Sequence, residues 1–256
     1  MSVELTHEND LAVLSLNRPE ALNALSFAIL REIGEALDAV AGMPGVRALL
    51  VTGAGDKAFC AGADIKELRE RRLIDQKRGA ELGQSVFAKL DRLPMASVAL
   101  VNGYAFGGGA ELALACTFRL ASPAAIFGLP EIKLGLIPGY GGTQRLPRLI
   151  GEGRALEIIM TGRAVTADEA ERIGLVNKVV EGDLREAGAK FARSFTRYSL
   201  PVMEFARRAV QRAADLPLAA GLETEAELST LAYRTEDAEE GMRAFEEKRK
   251  PEFRDG

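Results

Sequence analysis

Two glutamates are the residues of this chain best placed to do chemistry together. Glu111 closes the run Gly103-Tyr104-Ala105-Phe106-Gly107-Gly108-Gly109-Ala110-Glu111, and Glu131 follows Pro130 twenty positions later. Paired carboxylates supply an acid and a base. Glycines beside them leave backbone N–H groups unobstructed for a developing negative oxygen. The combination suits a reaction that handles a water molecule while an oxyanion forms.

The glycine run has three readings. It is a tight strand-to-helix connection, where glycine supplies φ > 0 and close packing. A dinucleotide site needs Gly-x-Gly-x-x-Gly after an early strand, and this run is Gly-x-x-x-Gly-Gly-Gly and comes late. A phosphate loop needs Gly-Lys-Ser/Thr, which does not follow. The third reading is an oxyanion hole, with an N–H at the start of a helix expected over Ala110–Leu120 aimed at the oxygen and assisted by the helix dipole. Such a hole needs a second donor. The segment from Lys57 to Lys66, small residues after a buried strand, reads either as that donor loop or as a plain turn.

Other reactive types carry structural readings. His7 is the one histidine and lies in a polar N-terminal stretch. Cys60 and Cys116 lack the paired spacing and neighbouring histidines of zinc sites. Cys60 reads as small-residue packing, and two distant cysteines do not make a disulfide framework. No metal site is expected.

The elements that must position the glutamates alternate. Leu11–Leu16 is a short apolar run stopped at Asn17-Arg18-Pro19, hence a strand and a turn. Ile29, Ile33, Ala36, Leu37 and Val40 recur at helical spacing after Ser26 as N-cap, with Gly42-Met43-Pro44-Gly45 as the stop. Ala48–Gly53 and Ala96–Val101 are apolar on both faces, as buried parallel strands are. Ala124–Phe127 is a shorter candidate. Between Asp64 and Leu93 the charges read as a solvated helical face rather than an anion site. Beyond Leu184 helices are expected from Pro201, over Leu218–Tyr233 and over Glu236–Lys250. The pattern predicts α/β with a mainly parallel sheet over residues 1–195 and a helical C-terminal region over 196–256.

With 256 residues, 47% of them hydrophobic, the chain has enough material for a full core. A net charge of −4 gives no footprint for nucleic acid. No apolar run is long enough to span a bilayer, and the N-terminus shows neither a signal core nor a transit pattern. A soluble, cytoplasmic protein is expected, with no membrane or nucleic-acid partner.

Taken in order, the motifs resemble the enoyl-CoA hydratase (crotonase) family across essentially the whole chain. They are Asn17-Arg18-Pro19-Glu20-Ala21-Leu22-Asn23-Ala24-Leu25, Phe59-Cys60-Ala61-Gly62-Ala63-Asp64-Ile65, Asn102–Leu112, Pro130-Glu131-Ile132, Gly135–Leu146, Thr161-Gly162, Ala170–Val180 and Glu240–Lys250. The resemblance implies a crotonase-like spiral of ββα units with a helical trimerisation region, commonly assembled as a homotrimer or a dimer of trimers. It implies that Glu111 and Glu131 are the catalytic pair and that the N–H groups of Ala63 and Gly108 form the oxyanion hole. It also implies that Ala61, Ala63, Asp64, Ile65 and Lys66 lie along coenzyme A. Lys248 matches a lysine that reaches coenzyme A phosphate in some relatives, or is one of a solvated basic cluster. The expected substrate is an acyl-CoA thioester, with no separate cofactor.

Hydration of trans-2-enoyl-CoA to (3S)-3-hydroxyacyl-CoA, as in β-oxidation, is the activity the resemblance favours. A double-bond isomerase is the nearest rival, but such relatives typically keep only the glutamate matching Glu131. A hydratase of branched or aromatic-pathway acyl-CoA is a further reading. An RNA-binding relative would need a basic surface, against the acidic balance. Thr117 stands where the family often has Asp, which changes a packing hydrogen bond. Tyr140 replaces a small residue of many relatives, placing bulk near the acyl end.

Overall fold

The computed structural model describes residues 2–256. In chain order the first unit contains β1 (Val3–Glu8), β2 (Leu11–Leu16), α1 (Phe27–Ala41), β3 (Ala48–Gly53), β4 (Ala58–Cys60), α2 (Ile65–Leu68) and α3 (Leu73–Arg92). It continues with β5 (Ala96–Val101), β6 (Tyr104–Phe106), α4 (Gly108–Ala115), β7 (Phe118–Ala121), β8 (Ile126–Gly128), α5 (Gly142–Ile150) and α6 (Glu152–Thr161). β9 (Val165–Thr166), α7 (Ala167–Arg172) and β10 (Lys178–Val179) follow, and α8 (Leu184–Arg193) begins in this unit and ends just past its last residue, Lys190.

These strands make two sheets, ordered β1-β2-β3-β5-β7-β10 and β4-β6-β8-β9. Each turn of the chain therefore lays one strand on each sheet. β3 and β4, then β5 and β6, then β7 and β8 repeat the same step, and the paired neighbours β3/β5/β7 and β4/β6/β8 are parallel. This is the spiral of ββα units that the motifs implied. Among the described residues only β1/β2 and β8/β9 pair antiparallel. The register of β2 on β3 puts Val13 beside Leu50 and Leu14 beside Val51, all four buried, which is why these strands read as continuous apolar runs.

α1 begins where Ser26 Oγ accepts the Ile29 N–H at 3.1 Å and buries Ile29, Ile33, Leu37 and Val40. The charged stretch after Asp64 breaks into two helices, α2 and α3, with Glu70 at φ 58° between them. In α3, Gly79 and Gly83 are buried on the helical face one turn apart. A methyl group at Gly79 would stand 2.5 Å from the Phe27 ring, and one at Gly83 would stand 2.2 Å from the Tyr140 ring. Glycine weakens a helix interior by ~1 kcal/mol; here it makes room for two aromatic rings.

The helix expected over Ala110–Leu120 is shorter. α4 ends at Ala115, and Phe118–Ala121 is a strand. Apolar residues on all sides left the two indistinguishable in sequence. Polar groups decide the break: the buried Arg119 guanidinium donates to the Cys116 carbonyl at 2.7 Å and to the Leu175 carbonyl at 2.8 Å. Ser97 and Thr117 exchange bonds across β5 and β7, Thr117 N–H to Ser97 Oγ at 3.0 Å and Ser97 N–H to Thr117 Oγ1 at 3.2 Å. Thr117 thus serves packing, as expected.

The second unit runs from Phe191 to Gly256. It holds α9 (Leu200–Arg212), with Pro201 in its first turn, α10 (Leu218–Ala232) and α11 (Glu236–Glu246). α9 packs on α10. The last helix, expected to reach Lys250, ends at Glu246 because Lys248 turns left-handed at φ 55° ahead of Pro251. Asp237 ties down the tail by accepting the Arg254 and Asp255 N–H groups at 2.7 and 2.9 Å. Among the described residues no helix is long and apolar enough to cross a membrane.

Candidate active site

The site is built around the glycine turn between β6 and α4. Gly107 has φ 49°, which favours glycine, and its N–H donates to the Gly128 carbonyl at 2.9 Å. A side chain would also press on the carboxylate: a methyl group at 107 would lie 3.0 Å from Glu131 Oε1. Glu131, carried on the short 3₁₀ turn Pro130–Leu134, therefore stands against the glycine turn. Its Oε2 is buried with no hydrogen-bond partner among the described residues. Burial raises its pKa.

Glu111 lies in the first turn of α4 and is 1% exposed. Its Oε1 accepts the Tyr140 N–H at 2.8 Å and the Gly142 N–H at 2.7 Å. Gly142 opens α5, so the carboxylate rests in a backbone nest at a helix N-terminus. Those donors favour the charged form, yet burial outweighs them and the nearby charge of Glu131 adds to it. The pKa is pushed up to about 7. Both carboxyls are raised, and two interacting groups titrate as a pair.

The second donor loop is placed by pairing. Ala61 N–H donates to the Leu22 carbonyl, Leu25 N–H to the Gly62 carbonyl and Asp64 N–H to the Leu25 carbonyl, at 2.8–2.9 Å. Neighbouring amides of an extended segment point to opposite sides. With Asp64 N–H turned to Leu25, Ala63 N–H faces away, and it donates to nothing among the described residues. Gly62, at φ 108°, brings this loop against the glycine turn: a methyl group there would lie 3.0 Å from the Phe106 carbonyl oxygen and 3.7 Å from the Gly108 nitrogen. The Gly108 N–H, first of α4, likewise has no acceptor among the described residues. Two undirected amides and two protonatable carboxyls thus surround one turn.

The other anticipated residues fall elsewhere. Asp64 caps α2, its Oδ1 accepting the Lys66 N–H at 3.1 Å, and faces Arg18 at 3.4 Å. A cleft of about 470 Å³ opens beside Asp64 and Lys66, also lined by Arg18, Ser26 and Glu67 and by neither site glutamate. Ala61 is half-buried, and Ile65 is exposed at the start of α2. Lys248 belongs to the second unit and is exposed. Cys60 is buried outside any disulfide, and burial pushes its thiol up to about 12, which disfavours the thiolate a nucleophile needs.

Sequence reasoning did not find the groups that hold Glu111. The usable sign was the pair Gly141-Gly142 ahead of a helix: Gly141 has φ 120°, and a methyl group at Gly142 would lie 3.0 Å from Glu111 Oε1. It also missed the Asp91–Arg145 pair, which joins α3 to α5 through Arg145 Nη1 to Asp91 Oδ1 at 3.0 Å and a second parallel bond. Tyr140 was singled out for its bulk. Its ring is buried against Gly83 and Gly108 and meets Phe87 edge-on, with centroids 5.8 Å apart.

A fold of stacked ββα units with carboxyls and free amides at one glycine turn defines a class of enzyme, and comparison with known proteins agrees. The model of the enoyl-CoA hydratase/isomerase family matches residues 6–256. The chain is 43% identical to the crotonyl-CoA hydratase of Syntrophomonas wolfei, over 98% of this chain and 97% of that one. It is 42% identical to the short-chain-enoyl-CoA hydratase of Clostridium acetobutylicum, over 98% and 97%. A crystal structure of enoyl-CoA hydratase from Bacillus anthracis superposes with a TM-score of 0.95 at 38% identity, covering all of both chains. The chain belongs to the enoyl-CoA hydratase/isomerase family.

Proposed function

We propose that this chain is an enoyl-CoA hydratase, adding water syn across the 2,3-double bond of a trans-2-enoyl-CoA to give the (3S)-3-hydroxyacyl-CoA, as fatty-acid β-oxidation requires. The observation that carries the reading is the convergence of Glu111 and Glu131 on the glycine turn whose amide, with that of Ala63, is left without an acceptor.

In this reading the thioester carbonyl oxygen accepts the N–H groups of Ala63 and Gly108. Attack of water at C3 moves the π electrons through C2 onto that oxygen, and preorganised amides stabilise the enolate. Glu111, oriented by its two backbone donors, takes a proton from water as the C3–O bond forms. Glu131 gives a proton to C2 as the enolate collapses. Water's hydroxyl ends on C3, one proton ends on C2, and the pair has passed a proton from Glu131 to Glu111. Delivery of both from one side makes the addition syn. The protein's own groups supply each step, so the reaction as written uses no separate cofactor. The turn from Ala61 to Lys66 would lie along the coenzyme A moiety.

The presence of Glu111 in its nest supports hydration over double-bond isomerisation, which needs no water-activating base. Loss of the conjugated thioester absorbance across C4 to C16 enoyl-CoA substrates tests the reading. Turnover of crotonyl-CoA to the 3-hydroxy product supports it, and migration of the double bond without hydration refutes it.

A further inference from the structure

The Asn17–Leu25 motif has no part in the reaction just described, yet its hydrogen bonds lead to the site. Asn23 is 1% exposed and adopts a left-handed backbone at φ 57°. Its Oδ1 accepts the Arg18 N–H at 2.9 Å, and its Nδ2 donates to the Ala54 carbonyl at 3.0 Å and the Ala58 carbonyl at 2.8 Å. One side chain thus closes its own loop and fastens it to both ends of the β3–β4 connection. Gly53 leaves the room: a methyl group there would stand 2.7 Å from Asn23 Nδ2.

The residues flanking Asn23 are the rail on which the donor loop runs. Leu22 accepts from Ala61, and Leu25 both donates to Gly62 and accepts from Asp64. The backbone bonds made by Ala61 N–H, the Gly62 carbonyl and Asp64 N–H, on both sides of Ala63, all run to the loop that Asn23 locks. The locking is deep and polar: a buried amide that loses one carbonyl partner leaves donors and acceptors unsatisfied on both segments. An oxyanion donor works only at a fixed distance and angle, so a small rotation of this loop degrades it.

We infer that Asn23 is a positioning residue for the oxyanion amide of Ala63, acting through Leu22 and Leu25. The inference rests on the proposed hydratase reading. It assigns the motif a role in polarising the thioester carbonyl rather than in gripping coenzyme A or in folding alone.

The test is the infrared C=O stretch of bound [1-¹³C]butyryl-CoA, a thioester with no double bond to hydrate, read in wild type, Asn23→Gly and Asn23→Asp. Glycine permits the left-handed backbone but removes the tether. Aspartate keeps shape and the Oδ1 acceptor while losing the Nδ2 donor, and carries the test should the glycine variant not fold. In wild type the stretch is expected to fall on binding. In the variants most of that fall should disappear, and kcat for crotonyl-CoA should drop about 10-fold or more, a part of the effect of losing one donor outright. The Kd of butyryl-CoA should stay within about threefold, since the donor acts mainly in the transition state. A folded variant with the wild-type stretch and kcat overturns the inference alone. A wild type whose stretch does not move on binding removes the oxyanion reading and the inference with it.

Discussion

Gly142 donates its N–H to Glu111 Oε1 at 2.7 Å, and the same approach would press a methyl group at position 142 against that oxygen at 3.0 Å. The first residue of α5 and the first turn of α4 are thereby locked through one carboxylate oxygen, leaving Oε2 as the oxygen without these two donors.

Gly142→Ala follows directly. Its Cβ would meet Glu111 Oε1 and Pro138 at 3.0 Å each, so the carboxylate has to shift. Displacement of a catalytic group by about 1 Å costs roughly 10²-fold, and this contact calls for a shift of a few tenths of an ångström. Crotonyl-CoA hydration is expected to lose a part of that, up to about 10-fold in kcat, with KM changed little. Steady-state kinetics on the folded variant decide it, and a wild-type kcat counts against the nest.

Glu111 also sets a pH dependence of stability. Its folded pKa of about 7 lies above the ordinary 4.5. Below pH 4.5 the group is neutral in both states and its contribution is fully present. As pH rises through that value the unfolded chain ionises first, so stability falls between about pH 4.5 and 7, and Glu131 acts in the same direction. The loss approaches ~3 kcal/mol at the high end. Glu111→Gln, neutral throughout, is expected to match wild type near pH 4.5 and to exceed it at pH 8. Urea unfolding at the two pH values measures this, and equal differences at both contradict it.

Much of the architecture was legible because burial leaves a plain mark. Leu11–Leu16, Ala48–Gly53 and Ala96–Val101 are apolar but for Ser15, Thr52 and Ser97 because both faces are covered. The second sheet was legible only at β8, which Ala124–Phe127 anticipated two residues early; β4 and β6, three residues each, are too short to leave a pattern. The end of α4 was not legible either, because Arg119 and the Ser97–Thr117 exchange act across long sequence separations. The glutamates stood out through their glycine and proline neighbours. Their backbone partners did not, because an N–H donor leaves no residue type behind.

Tyr140 fills the space between α3 and the start of α4, its ring against Gly83 and Gly108. Neither glycine can refill that space. Tyr140→Ala is expected to lose about 3–5 kcal/mol of stability, as large buried rings do. It should also shift the kcat/KM profile towards longer enoyl chains, while Tyr140→Phe keeps the wild-type profile. An unchanged profile in Tyr140→Ala would show that the ring does not bound the acyl site.

The second unit leaves Val210, Leu222, Leu231, Tyr233 and Phe245 more than half exposed. Apolar surface of this kind marks an association face. A trimer or hexamer is expected in light scattering at micromolar concentration; a stable monomer would be inconsistent with it.

In the proposed mechanism two glutamates divide the proton work of hydration. Glu111→Gln and Glu131→Gln keep shape and remove the ability to take or give a proton. Measured with crotonyl-CoA, each is expected to lower kcat by roughly 10²–10⁴-fold, with thioester binding largely retained. If Glu111→Gln hydrates crotonyl-CoA at the wild-type rate, water is activated elsewhere and the account is wrong.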